Sequence, residues 1–142
     1  MKSINIIKLV FPDFEVIQYD NQNDLYEGFV FVSNSFKYRS RLAKKTPKKE
    51  GYFVTFWEKI DGINHPYNKE DTCDYFIILV IDEENKGYFK IPKKDLIEKG
   101  IVKSETQKGK MGMRVYPSWN LGLLNKEASK TQKWQLEYFY NL

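Results

Sequence analysis

The sequence predicts a single α+β domain over residues 1–142, with a mostly antiparallel central sheet flanked by helices. Three observations lead there. Helical periodicity is confined to the two ends of the chain and one short stretch between strands, so helices and strands are segregated rather than alternating. The 142 residues allow one domain, because two would each fall at or below the usual lower end of domain size. The 3 Trp, 10 Tyr and 10 Phe give a chain of this size the apolar mass to close a core without a disulfide or metal staple.

Each element has its own signal. Residues 3–11 read as a short helix capped by Ser3, with Ile6, Ile7 and Val10 on one face. Phe29–Val32 and Phe36–Leu42 read as two strands joined by the polar hairpin loop Ser33-Asn34-Ser35. On the second of these, Phe36, Tyr38, Ser40 and Leu42 alternate with Lys37, Arg39 and Arg41, so a period of two places the three cations on one face. Thr46–Gly51 is a loop, because Pro47 biases Thr46 away from helix and Gly51 frees the turn. Tyr52–Trp57 is a third strand and Asp61–Asn68 a loop. The apolar run Tyr75–Ile81 is a buried strand, which Asp82–Gly87 turns back into Tyr88–Ile91. Lys93–Lys99 forms a short helix after Pro92 and stops at Gly100. Lys103–Gly112 is polar, Met113–Tyr116 is a last short strand closed by Pro117, and Ala128–Tyr140 is the longest helical signal.

Composition excludes several classes. A lone cysteine, Cys73, leaves no internal disulfide framework and no Cys-rich zinc site, and a lone histidine, His65, leaves no multi-histidine metal site. Asn5 and Lys8 interrupt the apolar N-terminal residues and no small-residue cleavage site follows, which argues against a secretory signal. Tyr75–Ile81 is far too short to span a bilayer. The expectation is a soluble, cytoplasmic protein with no membrane partner.

The net charge of +4 hides an alternation. Residues 1–36 carry −3, residues 37–57 carry +6, residues 58–84 carry −6, residues 85–114 carry +6 and the remainder +1. Two basic blocks flanking an acidic one say more about partners than the sum does.

The blocks Thr46-Pro47-Lys48-Lys49 with Gly51–Trp57, Gly87–Lys93, Lys99-Gly100-Ile101, Gly109–Trp119, and Ala128–Gln135 with Tyr138-Phe139 together resemble, in order, the MepB-like family of bacterial proteins. The resemblance covers most of residues 28–140, and the first 25 or so residues carry no matching mark. That family has no assigned reaction. Its founding member sits beside a multidrug efflux pump and a transcriptional repressor, which implies a stress context. The resemblance further implies a restriction-endonuclease-like fold and, through it, nucleic-acid binding.

Nuclease folds of that type set an Asp at the start of one hairpin strand and an acid-x-Lys on the next, so that carboxylates hold Mg²⁺ and the Lys supports the attacking water. Here Asp74 precedes the strand 75–81 and Lys90 lies on the returning strand, but the acid two residues before Lys90 is replaced by Tyr88. One carboxylate is a poor ligand set for an ion that prefers octahedral oxygen coordination. The basic blocks are the stronger signal. Arg39, Arg41, Lys44, Lys45, Lys48 and Lys49 form a row in sequence, and strand residues two apart sit roughly 7 Å apart, comparable with phosphate spacing along a nucleic-acid strand. Lys108, Lys110 and Arg114 form a second cluster, with Tyr116 and Trp119 as stacking surfaces. Such a signal favours phosphate contact over base readout.

Other candidates carry less. His65 stands in a loop without metal-ligand company, and the acidic neighbours Asp71 and Asp74 raise rather than lower the Cys73 thiol pKa. Ser118 is not in a Gly-x-Ser-x-Gly turn, and Lys108–Gly112 is too short for a phosphate-binding Gly-rich loop. Trp134, Tyr138 and Phe139 read as core residues of the last helix.

The resulting expectation is a non-catalytic nucleic-acid-binding protein, needing no cofactor or metal. Arg39, Arg41, Lys44, Lys45, Lys48, Lys49, Lys110 and Arg114 contact phosphates, and Tyr116 and Trp119 stack on bases. The alternatives are a Mg²⁺-dependent nuclease with a degenerate site at Asp74 and Lys90, and a sensor of a small cationic compound or a protein-interaction module linked to drug efflux.

Overall fold

In the computed structural model, which describes residues 1–142, the chain opens with α1 (Lys2–Val10) and continues through β1 (Glu15–Tyr19), a 3-10 turn at Asn21–Tyr26, β2 (Phe29–Ser33) and β3 (Phe36–Lys45). β4 (Tyr52–Thr55), β5 (Trp57–Ile60), β6 (Ile63–Pro66), β7 (Tyr75–Asp82) and β8 (Asn85–Pro92) follow. The chain ends with α2 (Lys93–Glu98), β9 (Gly112–Val115), α3 (Lys126–Gln135), a 3-10 turn at Leu136–Tyr138 and β10 (Phe139–Asn141). This is a mixed α+β architecture with few helices and a mostly antiparallel sheet.

The sheet runs β1-β2-β3-β7-β8-β10, antiparallel at every step except the parallel pair β3–β7, and β4 branches from the end of β3 to pair with β9. β7 sits centrally and is covered on both faces, which is why its residues are continuously apolar rather than alternating. Its Phe76, Ile78 and Val80 pack with Val54, Phe56, Tyr67, Phe89, Ile91 and Leu96 on one face. Ile77 and Leu79 pack with Ile6, Ile7, Phe29, Phe31, Tyr38 and Leu42 under α1 on the other. Each such fully buried side chain stabilises the fold by about 1.5–3 kcal/mol.

Several sequence expectations need correction. Ser3 lies inside α1 rather than capping it: its backbone N–H and its hydroxyl both donate to Glu27 Oε1, at 2.9 and 2.7 Å, so a distant carboxylate satisfies the first turn. Residues 61–68, expected as loop, contain half of the β5–β6 hairpin, whose turn is Asp61-Gly62 with φ of 50° and 78°. Two consecutive positive φ values are what a two-residue hairpin of right-handed twist requires. The helix expected over 128–140 stops at Gln135, because Phe139–Asn141 turn back to pair with β8 opposite Phe89, Tyr88 and Gly87. Gly87 permits this approach, since a Cβ there would come within 2.4 Å of Phe139 Cζ.

The largest correction concerns Arg39 and Arg41. Period two holds, and both lie on one face of β3. β3 is nonetheless an interior strand between β2 and β7, so that face is buried and not solvated. Arg41 is 0% exposed and Arg39 9%.

Candidate functional site

The two arginines form a buried ionic network, in which Arg39 Nε and Arg41 Nε alone are left without a hydrogen-bond partner. Asp20 Oδ2 lies 2.9 Å from Arg41 Nη1 and 3.2 Å from Arg39 Nη1, and Arg39 Nη2 reaches Asp71 Oδ1 at 2.7 Å. Arg41 also donates to the Ser40 carbonyl and the Tyr67 hydroxyl, and the Arg39 guanidinium stacks 4.2 Å from the Tyr67 ring centroid. Two carboxylates balance two guanidiniums, and burial holds the Tyr67 phenol up at about 12. Glu58 approaches from β5, and its carboxyl is raised by burial and by the neighbouring Asp71 charge. The phosphate-contact role expected of Arg39 and Arg41 is therefore taken up by internal carboxylates.

Four of the remaining cations, Lys48, Lys49, Lys110 and Arg114, gather elsewhere. β4 and β9 pair with Phe53 opposite Arg114 and Thr55 opposite Gly112, so alternation sends Val54 and Val115 into the core and Phe53 and Arg114 outward. The Phe53 ring packs against Gly112, where a Cβ would come within 2.5 Å of Phe53 Cζ. Arg114 pins the 46–50 loop beside this face by donating to the Glu50 carbonyl at 3.1 Å and to the Thr46 hydroxyl. α3, started by the Asn125 side chain accepting from the Glu127 and Ala128 amides, closes the opposite wall. Gln135, 0% exposed, fixes α3 to the chain at β9: its Oε1 accepts from Tyr116 N and its Nε2 donates to the Arg114 carbonyl, both at 2.9 Å. The segment after α2 completes the enclosure, held by Lys110 N–H to the Ile101 carbonyl at 2.8 Å.

Between these walls lies a cleft of about 870 Å³. Lys48, Lys49, Lys99, Lys110 and Arg114 line it together with Phe53, Tyr116 and Trp134, and no carboxylate does. Lys99 Nζ stands 5.3 Å from the Trp134 ring centroid. Five like charges around one solvent-open cleft sum to a positive potential that an anion entering it would relieve. Every residue lining the cleft comes from the sequence blocks Thr46–Lys49, Gly51–Trp57, Lys99–Ile101, Gly109–Trp119 and Ala128–Gln135. Segments as distant as residues 46 and 135 are thus brought to one place.

Of the residues singled out in the sequence, Lys48, Lys49, Lys110, Arg114 and Tyr116 line this cleft. Lys44 is not among its lining residues. Lys45 is exposed on the far side of the 46–50 loop, 3.6 Å from Asp82. Trp119 lies in a neighbouring groove, its indole N–H donating to the Tyr52 hydroxyl at 2.8 Å and its ring edge-on to Tyr52 and Phe139. Phe53, Lys99 and Trp134 were not singled out as ligand contacts. Their only sequence-level signal was membership of the same blocks as the lysines, since periodicity alone assigns Trp134 to the core, against which it also packs.

The nuclease candidates are occupied otherwise. Asp74 Oδ2 accepts from the Lys37 backbone N–H at 2.8 Å. Lys90 Nζ lies among aromatic rings, 4.4 Å from the Tyr75 centroid, 5.6 Å from Tyr38 and 6.0 Å from Phe11. No group of three or more His, Cys, Asp or Glu side chains is placed to hold a metal ion together. Cys73 is buried, with its thiol pushed up to about 12 by burial. No helix is long and apolar enough to cross a membrane.

Comparison with known proteins is consistent over nearly the whole chain. Residues 20–141 match the MepB-like family. A solved structure described as "Crystal Structure of MepB" is 46% identical, superposes with a TM-score of 0.87, and the match covers 99% of this chain and 97% of that one. No curated protein matches.

Proposed function

The chain belongs to the MepB-like family, and from that premise and the charge of its cleft we propose that it binds nucleic acid through phosphate contacts in the cleft, without cutting it. The carrying observation is the convergence of Lys48, Lys49, Lys99, Lys110 and Arg114 on one hollow free of carboxylates. Phosphates neutralise those cations and release counterions, which drives binding irrespective of sequence. Phe53 and Trp134 offer ring surface for unstacked bases, so the cleft suits an unpaired strand better than a duplex; Tyr116, expected to stack, is only 7% exposed with its ring against Gly51 and leaves that role to them. Lys45, exposed beyond the 46–50 loop, extends the basic path.

A restriction-endonuclease-like core belongs to the same proposal, supported by a mixed sheet in which the β7–β8 hairpin lies beside the parallel strand β3. Cytoplasmic residence and a single domain over residues 1–142 follow the same reading. A small cationic compound is disfavoured by the sign of the cleft. The nuclease alternative is disfavoured because Asp74 caps a strand and Lys90 is enclosed by rings.

Fluorescence anisotropy of labelled single strands and duplexes, titrated with salt with and without Mg²⁺, tests the proposal. The expected result is binding that weakens log-linearly with salt, by about 0.7 per phosphate contact on a single strand and 0.9 on a duplex, tighter for the single strand and with no cleavage. Absence of binding at low salt sinks it.

A further inference from the structure

None of the five cations of the cleft is paired with a carboxylate. The ion pairs of the molecule take up Arg39, Arg41, Lys45 and Lys69. They leave Lys48, Lys49, Lys99, Lys110 and Arg114 around one cleft without a counter-charge. The scaffold that carries these five is fixed. Arg114 holds the loop bearing Lys48 and Lys49 through the Glu50 carbonyl and the Thr46 hydroxyl. Lys110 N–H is bonded to the Ile101 carbonyl, which ties the segment after Lys99 to the start of β9. Gln135 bonds the backbone of Arg114 and Tyr116 and so sets Trp134, its neighbour on α3, beside Lys99. The charges are brought together before any ligand arrives, and a ligand is spared the cost of ordering the backbone.

Volume and charge together narrow the ligand. A cleft of about 870 Å³ falls in the size range of a pocket for one small ligand, roughly 300–1,000 Å³, which is room for about one or two nucleotides. An internal stretch of a strand brings one negative charge per nucleotide, so the part inside the cleft answers only about two of the five cations. A terminal phosphate carries about −1.5 to −2 at pH 7, and each further phosphate in a chain adds about one more charge in little extra volume. Resting on the nucleic-acid reading above, we infer that the cleft is a nucleoside-polyphosphate site that seats the 5′-triphosphate end of a strand. The phosphates lie among the four lysines and Arg114, and the first base meets the ring surface of Phe53 and Trp134. A free nucleoside triphosphate offers the same chemistry, and the experiment separates the two sources. An acidic peptide is a poorer occupant, because its charges are spaced one to a residue and it gives the rings no base to stack on.

The test is anisotropy, from low salt upward and in EDTA to keep Mg²⁺ off the phosphates, with one 3′-labelled oligonucleotide bearing a 5′-hydroxyl, a 5′-monophosphate or a 5′-triphosphate. Affinity is expected to rise along that series, the triphosphate binding about tenfold or more tighter than the hydroxyl, the worth of one charge-assisted hydrogen bond. Its log–log salt slope is expected to be steeper by about 2, from about three further neutralised charges at about 0.7 each. Lys48→Gln/Lys110→Gln alters exposed side chains only, so the fold should stand, and it is expected to cut the advantage below about threefold. Lys94→Gln, exposed and outside the cleft, is expected to leave the advantage intact. Unlabelled nucleoside triphosphate is expected to compete more weakly than the unlabelled triphosphate strand; equal competition assigns the cleft to a free nucleotide and overturns the strand end. Equal affinity for the three 5′ ends, or an advantage that survives the double variant, overturns the polyphosphate site while the phosphate reading stands. Binding of none of the three overturns both.

Discussion

Asp20→Asn removes the carboxylate shared by two guanidiniums, one of them fully buried. The side chain keeps its shape, so little packing is lost; what is lost is charge compensation where water does not enter. Asp71 then stands alone against Arg39 and Arg41, and Arg41 has no other acid within ion-pair distance. Breaking a buried pair from one side costs about 3–5 kcal/mol, because the orphaned charge keeps its desolvation penalty. For a domain of this size that is a drop of roughly 10–15 °C in melting temperature. Urea unfolding followed by tryptophan fluorescence measures it, with an unchanged m-value expected. The double variant Asp20→Asn/Arg41→Met, which removes the stranded charge as well, is expected to recover much of the loss. A cost below about 1 kcal/mol for Asp20→Asn, or no recovery in the double variant, would refute the reasoning that these charges are coupled in one buried network.

Three further outcomes are expected. Gly87→Ala forces a methyl group into the Phe139 ring and toward the Tyr140 carbonyl, and thermal unfolding should show a loss of about 1–3 kcal/mol. Glu58 has a folded-state pKa raised above its ordinary 4.5 by burial and by Asp71, so its ionisation works against folding as pH rises through that window. Glu58→Gln should therefore melt higher than wild type at pH 7, with the difference vanishing as pH falls below about 4. Trp134→Leu keeps the apolar contact with the core but removes a stacking surface from the cleft, and should weaken single-strand binding by about 1–3 kcal/mol at an unchanged salt slope.

What was legible in the sequence follows from where each signal originates. β2, β3, β7, β8 and α2 carry local signatures: alternation, an unbroken apolar run, a proline start and a glycine stop. β1 carries none, since most of its residues face solvent and none is buried. The β5–β6 turn was written in Asp61-Gly62 but lacked apolar alternation around it, because Ile60, Ile63 and their neighbours are exposed. β10 depends on Gly87, about a third of the chain away, leaving room for Phe139. The alternation of Arg39 and Arg41 fixed their common face but not whether it was wet. That depends on Asp20 and Asp71, which lie 19 and 32 residues from Arg39 in sequence. The lysines of the cleft were visible as charge, whereas the aromatic and helical walls that make it a cleft come from tertiary closure through Gln135 and Arg114.

The salt dependence of single-strand binding by the Lys48→Gln/Lys49→Gln/Lys110→Gln variant, set beside the wild type, bears most directly on the cleft. All three side chains are exposed, so the fold should survive. If these cations each neutralise one phosphate, the log–log slope should become shallower by roughly 2 and affinity at low salt should fall steeply. A slope equal to that of the wild type would contradict the account and move the phosphate contacts off this cleft.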